Sequence, residues 1–377
     1  MNLIIGADIV PTDTNAPIFS EGNAENLVGA ELKAILDSAA YRIFNLETPL
    51  TDEATPIPKG GPNLIAPVSA VKGYRALGID LLTVANNHIL DQGIKGLKTT
   101  LKALEDNSIA YVGVGDNAED AAKPYYFEFE SKKIGVYACA EHEFSIVNNS
   151  TPGANPFDAI RSYGHILEMK ANCDYIIVLY HGGKEHYRYP SLDLQKVCRG
   201  FVDSGANLVV CQHSHCIGCE EKYRDGTIVY GQGNFLFDHS KKDEWKTGLL
   251  IKLDESFNVS YIPVVKNENT VLLADSEKSK EIISAFEKRG EEIKSPEFIE
   301  KKYTEFSMTM IDGYLRILSG KKMCLPYKVL NKLLKGKLLH FSMNRRFNKR
   351  KLLSVLNVIE CEAHRELIIQ ALKNKTL

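Results

Sequence analysis

Short apolar runs alternate with stretches of helical spacing along most of this chain. Runs at residues 3–5, 41–46, 81–85, 111–114, 133–139, 175–180, 208–211, 227–230 and 259–265 have the length and composition of strands. In the 175–180 run, Ile176, Ile177, Val178 and Leu179 are consecutive, the pattern of a strand covered on both faces. Between the runs lie segments such as 93–107, where Ile94, Leu97, Leu101 and Leu104 recur at spacings of three and four and predict an amphipathic helix. Strands separated by helices predict an α/β fold on a substantial sheet. Residues 48–67 carry five prolines and are expected to form an ordered loop. From residue 276 the pattern is helical. The polar stretch 266–270 is therefore the expected division between a domain at 1–265 and a mainly helical region at 266–377.

The polar residues that follow the strands carry the chemical signal. Asp8 ends the first run, Glu47 follows the second, and Asn86, Asn87 and His88 follow the third. His181 follows 175–180, Gln212-His213-Ser214-His215 follows 208–211, and Gly231-Gln232-Gly233-Asn234 follows 227–230. Ligands of open α/β sheets bind beyond the carboxyl ends of the strands, so these side chains are expected to converge. Two carboxylates, an amide and three imidazoles suit divalent first-row ions, and the mixed nitrogen and oxygen donors favour zinc, manganese or iron over calcium. They suffice for two ions sharing a carboxylate, an arrangement that activates a water between ions ~3.5–4 Å apart. His213 and His215, as alternate residues on extended backbone, would point the same way. Each residue alone also has a structural reading: a hydrogen-bonded core histidine, a turn cap at Asp8, or an αL turn at Asn86-Asn87.

Other motifs are weaker. Cys216-Ile217-Gly218-Cys219 has the spacing of half a structural zinc site, but no second such pair exists, and its cysteines are expected to pack as small apolar side chains. Glu141-His142-Glu143 follows the 133–139 run, either at the pocket or as loop polar residues. Gly113-Val114-Gly115 lacks the third glycine of a dinucleotide fingerprint, and there is neither a phosphate-binding Walker sequence nor a nucleophile elbow.

Composition narrows the class without naming a function. The chain has 377 residues, 44% apolar and 25% charged, unlike disordered, collagenous or coiled-coil proteins. No apolar run reaches the ~18 residues of a membrane span. No basic region precedes the first apolar residues, which read as a strand and not as an export signal. Eight cysteines are too sparse for a disulfide framework, so the expectation is a cytoplasmic protein with reduced thiols. The net charge of −2 hides a division: residues 321–377 hold 14 Lys and Arg against 3 Glu, a balance of +11 that leaves −13 for residues 1–320.

Asn45-Leu46-Glu47-Thr48-Pro49-Leu50-Thr51, Ala85-Asn86-Asn87-His88-Ile89-Leu90-Asp91-Gln92-Gly93, His181-Gly182-Gly183-Lys184-Glu185, Gln212-His213-Ser214-His215 and Gly233-Asn234-Phe235-Leu236-Phe237-Asp238 have an order and spacing that resembles the CapA family. These are capsule or poly-γ-glutamate synthesis proteins related to calcineurin-like metallophosphatases, and the resemblance covers residues 3–260. It implies a four-layer α/β/β/α metallophosphatase-like sandwich with a C-terminal mainly helical extension, and a centre of two divalent ions (Mn, Fe or Zn) at one end. It implies Asp8, Glu47 and His215 as ligands of one ion. Glu47, Asn87, His181 and His213 would hold the other, with Glu47 bridging. His88 matches the histidine beside the metal-binding asparagine, which implies a general acid or transition-state donor. Against the wider phosphatase pattern, Asp8-Ile9-Val10 lacks the histidine of Asp-x-His, Glu47 stands for Asp, and Gly6-Ala7-Asp8 holds one residue more than Gly-Asp. One ion is thereby expected to be a ligand short.

Three functions stay open at this point. The first is phosphoester hydrolysis with His88 protonating the leaving oxygen. The second is acyl or amide hydrolysis, transfer, or proton abstraction at the same centre. The third is a non-catalytic, metal-stabilised scaffold in a polymer synthesis or export complex. Lys184, Glu185, His186 and Arg188, with Asn234, are the candidates for binding a small or polymeric anionic substrate, and they suit carboxylate and phosphate alike. In the basic region, Val329, Leu330, Leu333, Leu334, Leu338, Leu339 and Phe341 lie among Lys328, Lys332, Lys335 and Lys337. Arg345-Arg346-Phe347-Asn348-Lys349-Arg350-Lys351 then adds five cations in seven residues. This reads either as a stripe packed on the catalytic domain or as a peripheral docking surface for an anionic membrane or acidic polymer. Nucleic acid is not expected, because no aromatic platform beyond Phe347 accompanies the cations.

Overall fold

The computed structural model describes residues 2–148, 150–238, 242–320 and 322–376. Alternation of apolar side chains along the strands decides the layering. Leu3 and Ile5 face one core and Ile4 another; Ile177 and Leu179 face away from Ile176 and Val178. Strands apolar on both faces need a cover on each.

One sheet has seven strands in the spatial order Thr270–Leu273, Val259–Asn267, Thr247–Leu253, Asn2–Ile9, Ala39–Leu46, Leu81–Thr83 and Ala110–Val112. The last four are parallel, and the first three join them as an antiparallel meander. The second sheet has six: Glu220–Tyr223, Gly226–Val229, Leu208–Gln212, Tyr175–His181, Lys132–Ala140 and Tyr125–Phe129. Its middle four are parallel and its edges antiparallel. Leu3, Ile5, Ile43 and Leu81 of the first sheet share a core with Val136, Ile177, Leu179 and Val210 of the second. On the first sheet's outer face, Ile4, Phe44 and Leu82 pack against Leu27, Leu32 and Leu36 of helix Ala24–Ser38 and Leu97 and Leu104 of helix Gly93–Asp106. On the second's, Ile176, Val178 and Val209 pack against Ile166 and Met169 of helix Ala159–Lys170 and Cys198 and Phe201 of helix Leu192–Ser204. This is the expected four-layer α/β/β/α order.

One irregularity positions a site residue. Ile5 pairs with Ile43 but Asp8 pairs with Asn45, so Asn2–Ile9 carries one extra residue, a β-bulge. The bulge inverts the alternation. Ala7 and Ile9 join Ile4 in the outer core, and Asp8 turns to the side on which Ile5 lies. Gly6 allows it, since a Cβ there would stand 1.8 Å from Cε1 of Phe44.

The chain divides later than expected. Two compact units meet between Ile299 and Glu300, not at 266–270. The polar stretch only turns a hairpin, with Lys266 opposite Val271 and Asn267 opposite Thr270. Helix Ser276–Glu292 then buries Ile282 and Phe286 in the core between the sheets. The second unit is helical: Pro296–Leu318 crosses the division, and Leu325–Leu333, Lys337–Arg346, Lys349–Glu360 and Glu362–Thr376 follow. Among its described residues only Leu315 and Met343 are buried hydrophobics. Lys321, one of the cations in the charge balance, lies outside the described residues. Among those described, no helix is long and apolar enough to cross a membrane.

The later boundary has a thermodynamic test. Phe286→Ala is expected to lower the unfolding free energy by about 3–5 kcal/mol in a denaturant titration, the range for deleting a buried ring. A change under about 1 kcal/mol would place Phe286 outside the cooperative core.

Candidate metal centre

Parallel strands in both sheets end at one place, and their terminal side chains meet there. Asp8, Glu47, Asn87, His181, His213 and His215 are all buried. Ligand atoms of Glu47, His181 and His213 lie within 4.8 Å of one another, and so do those of Asp8, Glu47 and His215. Glu47 belongs to both groups. Its Oε1 is 3.3 Å from Nε2 of His181 and 4.0 Å from Nε2 of His215. Oδ1 of Asn87 and Nδ1 of His213 each lie 3.1 Å from the same Nε2 of His181. The structure therefore brings together every residue that the sequence placed in the two ligand sets.

These donors fit cations. Both carboxylate oxygens of Glu47 are fully buried with no hydrogen-bond partner among the described residues. A buried carboxylate left so is costly unless a positive charge faces it. Asp8 is anchored by neutral amides: Asn45 donates to its Oδ1 at 2.8 Å, and Asn86 donates to Oδ1 of Asn45 at 3.2 Å. The histidines differ in charge. Burial, with the imidazoles of His181 and His215 nearby, pushes His213 well below the ordinary range, so it keeps a free lone pair. Burial opposes protonation of His215 too, but Glu47 and Asp8 outweigh it and raise its pKa to about 9. A divalent cation between those two carboxylates would take the place of that proton.

The His-x-His segment is not extended as expected. His213 and His215 both have left-handed backbones, with φ of 86° and 54°. The turn sends His213 to one group and His215 to the other. Non-glycine residues held this way cost of order 1–3 kcal/mol and concentrate at functional sites.

His88 flanks the centre at 12% side-chain exposure. Its Nδ1 lies 2.6 Å from Oδ2 of Asp91, so Nδ1–H donates to that carboxylate and Nε2 is the ring nitrogen left for other partners. Asp91 also pairs with Lys59, whose side chain is only 3% exposed, and accepts from the Leu64 backbone N–H at 2.6 Å. Neither Lys59 nor the role of Asp91 was read from the sequence, because each acts through another residue. Glu141 does reach the pocket, with Oε1 3.7 Å from Nε2 of His213.

The expected substrate-binding residues separate. Lys184 is close enough to His213 to help depress its pKa. Asn234 supports a ligand candidate, its Oδ1 lying 2.9 Å from Nδ1 of His215. Nδ1 of His186 accepts from Trp245 at 3.3 Å, and the Trp245 ring lies 4.6 Å from that of His215. Glu185 adjoins His186 and opposes the lowering of its pKa by burial. Arg188 turns elsewhere, donating through Nη1 to the Ile217 carbonyl at 2.9 Å.

The Lys59–Asp91–His88 chain is expected to show itself in stability. Asp91→Ala leaves a buried ammonium unpaired and should cost about 3–5 kcal/mol in chemical denaturation. A loss under about 1 kcal/mol would mean that Lys59 reaches water in solution.

Residues 3–239 match the family profile described as "Bacterial capsule synthesis protein PGA_cap". The chain is 30% identical over 212 residues to "Capsule biosynthesis protein CapA" of Bacillus anthracis, covering 54% of this chain and 52% of that protein. It is 30% identical over 176 residues to "PGA biosynthesis protein CapA" of Bacillus subtilis, covering 45% of each. The chain thus spans about half the length of these relatives. Among solved structures it is similar to a "novel phosphatase" of Mycoplasma pneumoniae, with a TM-score of 0.45, 14% identity, and 71% and 94% of the two chains covered. It is also similar to a 5'-nucleotidase precursor of Thermus thermophilus, with a TM-score of 0.41, 15% identity, and 76% and 58% covered.

Proposed function

The chain belongs to the PGA_cap family of bacterial capsule synthesis proteins, and we propose that it is a metal-dependent hydrolase of an anionic substrate, with phosphoester chemistry at a two-ion centre. The observation that carries this reading is Glu47, a fully buried carboxylate without a hydrogen-bond partner, shared by two groups of donors. Asp8, Glu47 and His215 would hold one divalent ion, and Glu47, Asn87, His181 and His213 the other, with Mn, Fe or Zn suited to such donors. When bound, such ions polarise a phosphoryl oxygen and lower the pKa of water. His88 would act in its imidazolium form, giving the Nε2 proton to the leaving oxygen and returning to the neutral ring while Asp91 keeps accepting from Nδ1–H. Lys184 adds positive charge for the substrate. The names of the two Bacillus relatives extend the proposal to capsule or surface-polymer metabolism.

Reconstitution tests it. Protein stripped with chelator and reloaded with Mn, Fe or Zn should bind more than one equivalent by elemental analysis and unfold at higher temperature when loaded. His181→Ala should lose metal and activity together. His88→Ala should keep its metal and hydrolyse phosphodiesters ~10²–10⁴-fold more slowly. A full rate in that variant would remove His88 from the chemistry. Stability unchanged by chelation, with less than one equivalent bound, would favour the scaffold, and cleavage of amides alone would move the reaction to acyl chemistry.

For the second unit we propose an anionic lipid surface as partner. Leu325, Leu333 and Leu367 are 70–74% exposed, and Phe341, Leu353 and Leu356 are also exposed, on helices that carry the basic residues. Cations near an anionic membrane contribute about 1 kcal/mol each, so five within residues 345–351 are enough to matter. The full chain should sediment with phosphatidylglycerol-containing vesicles at low salt, be released at high salt, and ignore phosphatidylcholine vesicles. Replacing the five cations by glutamine should abolish sedimentation. Undiminished binding, or binding to an acidic polymer but to no vesicle, would refute the lipid assignment.

A further inference from the structure

Outside the candidate metal centre, two arginines meet at a cavity with no ion-pair partner among the described residues. Arg188 lies in the loop after Tyr175–His181 and Arg289 on helix Ser276–Glu292. Among the described residues their hydrogen bonds go to consecutive backbone carbonyls in the loop after His215: Nη1 of Arg188 to Ile217 at 2.9 Å, and Nε of Arg289 to Gly218 at 2.6 Å. Neither has a carboxylate within ion-pair distance among the described residues. Both are half-buried and line a cavity of about 700 Å³ together with Lys246, Lys266, Lys278, Asp243 and Glu281.

The charges of this cavity do not balance. Lys246 is paired with Asp243 and Lys278 with Glu281, each at 2.7 Å. That leaves Arg188 and Arg289 facing this space without a partner carboxylate among the described residues, while Lys266, which lines it too, feels the charges of Asp238 and Asp8. Nζ of Lys266 is buried with no hydrogen-bond acceptor and lies 5.3 Å over the Trp245 ring. Burial, and then repulsion by Arg188, pulls Arg289 below its ordinary range, while burial pushes Lys266 down to about 8. Two unpaired guanidinium groups beside a third cation cost stability unless an anion occupies the space between them. Each guanidinium spends one N–H on a carbonyl, which fixes the plane and leaves an edge for two-point contact with an oxyanion.

We propose that the cavity between Arg188, Arg289 and Lys266 is a binding site for a multiply charged oxyanion, phosphate-based or polycarboxylate. None of the three is a candidate metal ligand, so the site stands whether or not the hydrolase reading holds. Its position gives it a relation to that centre all the same. The carbonyls that orient the arginines follow His215 by two and three residues, and Trp245 stands between Lys266 and His215.

The test is calorimetric titration of the metal-stripped full chain with pyrophosphate and, separately, with citrate, at low ionic strength. Metal-free protein removes the candidate metal centre as a competing anion site. One saturable site is expected, weakening with salt. Arg188→Ala and Arg289→Ala should each weaken it roughly tenfold or more, as expected for loss of a charge-assisted hydrogen bond. Arg289→Lys keeps the charge and side-chain length and guards against misfolding; it should still bind, but more weakly than the parent chain. Lys102→Ala, an exposed lysine of helix Gly93–Asp106 that is paired with Asp106, should leave the titration unchanged. Binding of pyrophosphate alone marks the ligand as phosphate-based, and binding of citrate alone as a polycarboxylate. No saturable site, or full affinity in the Arg188→Ala/Arg289→Ala double variant, would overturn the proposal.

Discussion

A carboxylate buried without a hydrogen-bond donor is the constraint around which the rest of this molecule is arranged. Glu47 has no exposure, and neither oxygen has a hydrogen-bond partner among the described residues. Its surroundings make no attempt to quench it with a lysine or arginine. They present imidazoles and an amide oxygen, which donate electron pairs to a cation at least as readily as protons to an anion. Two further costs point the same way, the left-handed backbones at His213 and His215, of order 1–3 kcal/mol each.

The sandwich supplies the means. Parallel strands deliver their carboxyl ends to one edge, and facing two such sheets brings both sets of ends to one place. Within that edge the fine positioning falls to neutral groups. Asn86 holds Asn45, and Asn45 holds Asp8, so the carboxylate is oriented by neutral groups. An arginine in place of Asn45 would orient Asp8 as well but would repel a divalent ion. The same logic separates Asp91, which is paired with Lys59 and fixes His88, from Asp8 and Glu47, which are left for cations.

Most of this was legible because burial on both faces leaves a local mark. Strands such as Tyr175–His181 and Leu208–Gln212 are continuous apolar runs that end in a polar residue, and both the run and its end can be read from the sequence. Edge strands cannot be read that way: Glu220–Tyr223 holds three charged residues and owes its conformation to pairing with Gly226–Val229. The boundary went unread for a related reason. Residues 266–270 are as polar as a linker, and only the pairing of Thr270–Leu273 and the burial of Phe286 show that the fold continues. At the site, direct candidates declared themselves by type and place. Lys59 and Trp245 did not, since they reach it only through folded contacts with Asp91 and with His215. Arg188 was placed near His181 by sequence proximity, but seven residues of loop are long enough to turn it to Ile217.

The first strand shows how a departure from a pattern can be absorbed in one place and felt in another. The extra residue in Gly6-Ala7-Asp8 is taken up by the bulge, which returns Asp8 to the inner side. The position two residues on then also faces inward, where the phosphatase pattern has a histidine and this chain has Val10. Val10 is buried in an apolar cluster with Phe237 and Trp245, and Trp245 stacks beside His215. A hydrophobic wall thus stands where a donor would have been. On the proposed reading, the Asp8–Glu47–His215 group offers three ligands and the Glu47–Asn87–His181–His213 group four. Glu47 counts in both, so whichever ion binds first draws on the charge the second needs. Burial keeps His213 in the four-donor group neutral, whereas Glu47 and Asp8 overcome burial and raise the pKa of His181 in the same group, so a cation there would displace a proton from His181. Three donors would leave an ion bound there with a position for water or substrate, and an open position of that kind is what separates a catalytic ion from a structural one.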